Sequence, residues 1–187
     1  IPRYRLSNKC IAEAWGKPPS KGEKAVANFD EDSLTMGVDS SLDCLKKVGT
    51  NSKRVDGLFF CSTTSPYREK FSSCVIATAI DLPPQIRSTD YLGSLRSSTS
   101  AILGAMDAIK GKSCENVLVV ASDCRLAEPG SPLEGILGDG SVSFLIGSEN
   151  VMANIIANFS ISDEFTDLWR RDEDPYVRQD DVRFAQQ

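Results

Sequence analysis

Arg87-Ser88-Thr89-Asp90-Tyr91-Leu92-Gly93-Ser94-Leu95-Arg96-Ser97-Ser98-Thr99-Ser100-Ala101-Ile102-Leu103-Gly104-Ala105-Met106-Asp107-Ala108-Ile109-Lys110 is the stretch on which the reading of the fold turns. From Arg96 onward the spacing predicts a helix, with Ile102, Met106 and Ile109 at i, i+4 and i+7. Its other positions are mostly Ser, Ala, Gly and Thr rather than the Glu and Lys of a solvated face. Small residues all round a helix let other backbones come close, so burial on most sides is expected, which is unusual in a soluble domain of this size. The preceding run Asp90 to Leu95 predicts a tight turn at the helix N-terminus. Backbone N–H groups and the helix dipole there favour a thiolate, a carboxylate or an oxyanion. The residue in that place is Leu95.

Outward from this helix, the chain alternates apolar strands with helical spacings. Asp30-Glu31-Asp32-Ser33 offers caps for a helix whose apolar positions are Leu34, Val38, Leu42, Leu45 and Val48, with Gly49 just beyond its end. Val55 to Cys61 reads as a buried strand, and the polar turn Ser62 to Tyr67 leaves its carboxyl end. A helix follows from Phe71 to Ile80, punctuated by Pro83-Pro84, and Ile86 to Asp90 reads as a brief strand. Asn116 to Ser122 is the clearest strand, its unbroken Val/Leu run matching a parallel strand covered on both faces. Leu126 to Leu137 reads as loop, Ser141 to Gly147 as a strand, and Val151 to Ser160 as a further strand-like run. Near the start, Trp15 to Gly22 reads as loop. From Asp163 charges of both signs alternate with Phe165, Leu168, Trp169, Tyr176, Val177 and Phe184; a solvated linker and a surface excursion packing its aromatics are both open. Alternating strands and helices imply an α/β domain with parallel pairing.

Composition narrows the class. The chain of 187 residues is 41% hydrophobic and 25% charged, ordinary for one globular domain or one domain and part of another. A net charge of −5 with no Lys/Arg cluster argues against nucleic acid, and no apolar run is long enough to cross a bilayer. No signal-peptide pattern opens the chain. Six cysteines at 10, 44, 61, 74, 114 and 124 lack Cys-x-x-Cys spacing, several within apolar segments, so a reduced, cytoplasmic setting with buried thiols is expected. The chain has no histidine, so a Cys–His or Ser–His–Asp arrangement cannot be completed within it, and no metal site is expected.

Ile1-Pro2-Arg3-Tyr4-Arg5-Leu6, Asp30 to Met36, Ser62 to Lys70, Asp90 to Thr99, Gly138-Asp139-Gly140 and Ser162 to Arg171 together make the order of motifs recognisable. In them the chain resembles the amino-terminal half of a thiolase-superfamily condensing enzyme. It resembles hydroxymethylglutaryl-CoA synthase-like proteins more than chain-initiating ketoacyl-ACP synthases. The resemblance runs from about Ile1 to Val182. It implies a layered α-β-α-β-α fold of two similar halves, with residues 1–150 forming the first. Residues 151–187 would start the second as a strand plus charged excursion, its remainder absent. The small-residue helix would then lie between two sheets. A homodimer is also implied.

The chemistry implied is a Claisen-type condensation: a cysteine thiolate takes an acyl group from coenzyme A, and a glutamate acts as general acid/base. Matched residue by residue, the cysteine position falls on Leu95 and the glutamate position on Thr63, and neither can do that work. Tyr67, Lys70 and Arg96 fit the pattern as substrate-binding residues, with Pro66 and Thr99 as further matches. For Lys70 and Arg96 a solvated surface charge is the plainer alternative to a CoA-phosphate contact. Ser94, Cys124 and Cys61 are the stand-ins for the nucleophile, each weighed against ordinary packing; Asp139 fits a turn cap better than chemistry. Two readings follow: an acyl-CoA condensing acyltransferase with altered chemistry, or a non-catalytic thiolase-fold subunit. The second would bind acyl-CoA or scaffold an active thiolase and a zinc-ribbon/OB-fold partner. No cofactor is expected beyond the coenzyme A thioester as substrate or ligand.

Overall fold

The computed structural model describes residues 1–163 and 167–179. Its first elements are β1 (Tyr4–Ser7), α1 (Asn8–Ala14), β2 (Glu23–Val26) and α2 (Ser33–Val48). Then come β3 (Gly57–Ser62), α3 (Ser72–Ala79), β4 (Arg87–Leu92), α4 (Ser97–Lys110), β5 (Asn116–Asp123) and β6 (Gly140–Gly147). A short pair, β7 (Leu168–Trp169) and β8 (Arg178–Gln179), closes the described chain.

The central sheet has the order β4-β3-β5-β6. β3 pairs parallel with both β4 and β5, and β6 runs antiparallel to β5. All six residues of β3 are buried, as its uninterrupted apolar run requires of a strand covered on both faces. The expected parallel pairing therefore holds for three strands. β6 departs from it because a loop rather than a crossover helix joins it to β5.

Side-chain alternation sorts the core into two layers. Leu58, Phe60, Leu118 and Val120 face α2 and α3, meeting Leu34, Leu45, Ile76 and Ile80. Phe59, Cys61, Val117 and Val119 face α4, meeting Ala101, Ala105 and Ala108. Leu58, Phe59, Phe60 and Ile76 are fully buried, each stabilising by about 1.5–3 kcal/mol. α2 forms where its sequence directs: the Asp32 side chain accepts from the N–H groups of Leu34 and Thr35, Thr35 completes a capping box, and Gly49 ends the helix in the left-handed region. α3 has no side-chain cap of its own. The Asp90 carboxylate on β4 supplies one instead, accepting from Ser72 N–H at 2.7 Å and Ser73 N–H at 2.8 Å.

Two expectations need correction. α4 buries one stripe only, Ser97, Ala101, Ala105 and Ala108, while Ile102, Met106 and Ile109 are half-buried. Alanines let the helix sit close to a single sheet, and no second sheet lies over its far side among the described residues. Residues 151–160 form no strand, pairing with no backbone among the described residues; Met152, Ile156 and Phe159 are 99%, 96% and 88% exposed. Near the start, β1, α1 and β2 form around the Trp15 to Gly22 loop, with Arg5 opposite Ala25 in an antiparallel pair. After Asp163 the described chain returns to the body of the fold at Val177. Val177 is 6% exposed and its N–H donates to the Leu126 carbonyl at 2.9 Å. Phe165 and Phe184, and the Glu164 and Thr166 positions of the Ser162–Arg171 motif, lie outside the described residues.

Candidate functional site

The carboxyl ends of β3, β4 and β5 finish level with one another. Ser62 pairs with Leu92 and Cys61 with Ala121, so Thr63, Gly93 and Asp123 leave the sheet together. The Gly93 N–H donates to the Ser62 carbonyl at 3.1 Å, locking the two turns side by side. Gly93 has φ +74, a left-handed conformation that glycine adopts without cost and that brings the chain sharply into α4. The positions matched to the acid/base and the nucleophile thus sit on adjoining turns at one sheet edge, where α/β sites gather.

Around Thr63 every polar group is engaged. One oxygen of the Asp123 carboxylate, Oδ1, accepts from the Thr63 N–H at 2.7 Å and the Thr63 hydroxyl at 3.0 Å. The same oxygen accepts from the Thr64 hydroxyl at 2.9 Å and the Ser62 hydroxyl at 3.1 Å. Thr64 Oγ1 in turn accepts from the Cys124 N–H at 2.8 Å, and the Thr64 carbonyl accepts from the buried Ser33 hydroxyl at 2.9 Å. The Thr63 carbonyl accepts from Arg170 Nη2 at 3.0 Å. This is a structural knot, and its hydroxyl hydrogens are already spent.

Position 95 is the opposite. Leu95 is 58% exposed. Ser94 next to it accepts from the Arg96 N–H at 3.1 Å, and its carbonyl accepts from the Ser97 N–H at 3.0 Å, so it shapes the entry to α4. The cysteines offer no better nucleophile. Burial pushes the Cys61 thiol up to about 12, with Asp123 and Asp90 adding to the effect. Burial also pushes Cys124 up to about 12, with Asp139, Asp32, Asp123 and Glu31 contributing. Both stay thiols at neutral pH, and a thiol is a poor nucleophile.

The other residues matched by resemblance fall on the same side but not in one cluster. Lys70 Nζ lies 4.4 Å from the centre of the Tyr67 ring, a cation–π pair on an exposed loop. Arg96 turns away, donating to the Ser160 hydroxyl at 2.6 Å and the Ile161 carbonyl at 3.3 Å. Asp139 accepts from the Ala27 N–H at 2.7 Å and ties β2 to the start of β6, consistent with its plainer reading. A cleft of about 840 Å³ lies between Pro132, Leu133, Tyr176 and Arg178. A smaller one of about 170 Å³ lies beside Trp15, Lys17 and Glu134. Neither is lined by Thr63 or Leu95. No group of three or more metal-ligating side chains occurs among the described residues.

Asp123 and Arg170 are the functional candidates that sequence reading missed. Asp123 ends an apolar strand with nothing local to mark it, and Arg170 lies in a charged run more than a hundred residues from Thr63.

No protein-family profile matches the chain. A hydroxymethylglutaryl-CoA synthase of Caldivirga maquilingensis is 35% identical over 183 residues, covering 94% of this chain and 52% of the relative. One of Methanocaldococcus jannaschii is 30% identical over 185 residues, covering 95% of this chain and 54% of the relative. The chain therefore spans about half the length of the curated relatives it matches. Among solved structures, MvaS in complex with 3-hydroxy-3-methylglutaryl coenzyme A superposes with a TM-score of 0.88 at 18% identity. That match covers 98% of this chain and 47% of the other. 3-Oxoacyl-[acyl-carrier-protein] synthase III from Aquifex aeolicus gives 0.80 at 18% identity over 96% of this chain and 61% of the other. At these identities the structural matches establish the fold, which is thiolase-like.

Proposed function

We propose that this chain, which resembles the amino-terminal half of hydroxymethylglutaryl-CoA synthases, binds acyl-CoA on a thiolase-like frame and does not itself carry out condensation. Solved structures similar to it include complexes with 3-hydroxy-3-methylglutaryl coenzyme A and with CoA, which supports a coenzyme A derivative as the ligand. One observation carries the non-catalytic half of the reading. The turns matched to the nucleophile and the acid/base adjoin at one sheet edge, yet hold an exposed Leu95 and a Thr63 whose hydroxyl is donated to Asp123.

Each step of a Claisen condensation fails on chemical grounds. A leucine has no lone pair with which to form a thioester, so no acyl group is held. A threonine hydroxyl does not exchange protons near neutral pH and, donated to a carboxylate, cannot protonate a developing alkoxide. What the frame retains is recognition: Tyr67, Lys70 and Arg96 stand as the binding residues, their cations suited to phosphate or carboxylate groups. In this reading the chain works in the cytoplasm as a homodimer or as a scaffold beside an active thiolase and a zinc-ribbon/OB-fold partner.

The competing reading is an acyltransferase using a relocated nucleophile. Incubation with acetyl-CoA, followed by peptide mass spectrometry, separates the two. Measurable coenzyme A binding without an acetyl adduct supports the binding role. A stable acetyl group on Cys61, Cys124 or Ser94 would restore the enzyme.

A further inference from the structure

The last described stretch of the chain folds back onto the site loop. In the β7–β8 hairpin, Arg170 donates to the Thr63 carbonyl at 3.0 Å. Arg68, at the far end of that loop, donates to the Asp172 carbonyl at 3.2 Å and lies 3.8 Å from its carboxylate. The Val177 N–H donates to the Leu126 carbonyl at 2.9 Å, and Val177 bridges Ala127 in parallel. The hairpin therefore touches the chain leaving both β3 and β5. Its own stiffness comes from Arg178 paired with Asp174, and from the Arg171 and Arg178 guanidiniums at 5.3 Å and 5.4 Å from the Trp169 ring centre.

Residue 63 is thus held from two directions. Asp123 takes its N–H and its hydroxyl, and Arg170 takes its carbonyl. A guanidinium donating to a carbonyl makes a charge-assisted bond, stronger than a neutral one. Because that carbonyl belongs to the same residue whose N–H is fixed to β5, a shift of the hairpin must either break the Arg170 bond or turn the 63–64 peptide.

We propose that Arg170 latches the β7–β8 hairpin to Thr63, making the hairpin a strap across the carboxyl edge of the sheet whose release frees the site loop. Arg170 is a positioning residue and touches no ligand. The latch stands on the contacts alone; its consequence for ligand entry rests on the acyl-CoA reading above.

Hydrogen exchange at single-amide resolution on the whole chain tests the latch, with the Leu58 and Val119 amides in the core as internal references. Arg170→Ala is expected to speed exchange at the Thr63 and Val177 amides about fivefold while the references hold, since one charge-assisted bond is lost. Arg170→Lys keeps a single donor and is expected to fall between that variant and the parent. Arg178→Ala removes the hairpin's internal pair and no site-loop atom, and it too is expected to speed the Thr63 amide. Faster exchange at Val177 with Thr63 unchanged, in either alanine variant, would overturn the latch. With coenzyme A as probe, Arg170→Ala is expected to raise the association rate about threefold. An unchanged association rate beside the faster exchange would overturn the strap's role in ligand entry and leave the latch standing.

Discussion

Two turns leave the central sheet side by side, and they are built on opposite principles. The 62–64 turn spends three hydroxyls and a backbone N–H on one carboxylate oxygen of Asp123. The 93–95 turn rests on Gly93 in the left-handed region, a bond to the Ser62 carbonyl and the Ser94 bonds to the Arg96 and Ser97 N–H groups, and it ends on an exposed leucine. The first turn is a polar network whose members depend on one another; the second is a shape with nothing at its tip. Two adjoining turns at one sheet edge can therefore hold their geometry by different means, one through a shared acceptor and the other through backbone shape.

The largest effect that tests this contrast concerns the thiols beside the first turn. With Cys61 and Cys124 pushed up to about 12 from an ordinary 9.0, alkylation at pH 8 should be about a thousandfold slower folded than unfolded. Rapid labelling of either thiol in the folded chain would make it a nucleophile and break the contrast. The same shift has a stability consequence. A thiol whose folded pKa is raised contributes stability that is fully present below pH 9 and is lost as pH rises toward about 12. The urea midpoint should fall across that window, and both Cys→Ser variants together should flatten the fall.

Asp123→Ala comes next, with an expected loss of about 3 kcal/mol in urea unfolding because four donors lose their acceptor together. Gly104→Leu should cost about 2 kcal/mol. A Cβ at that position would lie 2.5 Å from the Tyr91 hydroxyl, so the strain falls on a ring beneath α4 rather than on a second sheet. The direct comparison is smaller. Thr63→Val, which removes one hydroxyl from the knot, should cost about 1 kcal/mol, whereas Leu95→Ala should stay within about 0.5 kcal/mol. Equal costs at the two positions would erase the distinction between the turns.

Much of the frame was legible because its signals are local. The Asp32 cap, the Gly49 stop and the apolar run Leu58–Cys61 each fix an element within a few residues, and all appear where the sequence directs. The resemblance matched Thr63 and Leu95 to the two reacting positions of one chemistry, and the register of β3 with β4 brings their turns to one sheet edge. What stayed hidden depends on pairing between distant segments. Asp123 and Arg170 act on Thr63 across the fold, so neither has a sequence signature. α4 misled for a related reason: small residues announce close packing, but whether one sheet or two packs against them depends on chain beyond the helix. Residues 151–160 have a strand's composition and no strand to join among the described residues.

The decisive question is whether residue 95 occupies a nucleophile's place. Leu95→Cys puts a thiol there, and peptide mass spectrometry after acetyl-CoA incubation reads the result against the parent chain. The account predicts an unmodified parent, and a variant that gains one acetyl group at position 95 faster than at the exposed Cys10 and Cys74, with no condensation product because position 63 is still threonine. Acetylation of the parent, or a variant labelled no faster at 95 than at Cys10 and Cys74, would contradict it.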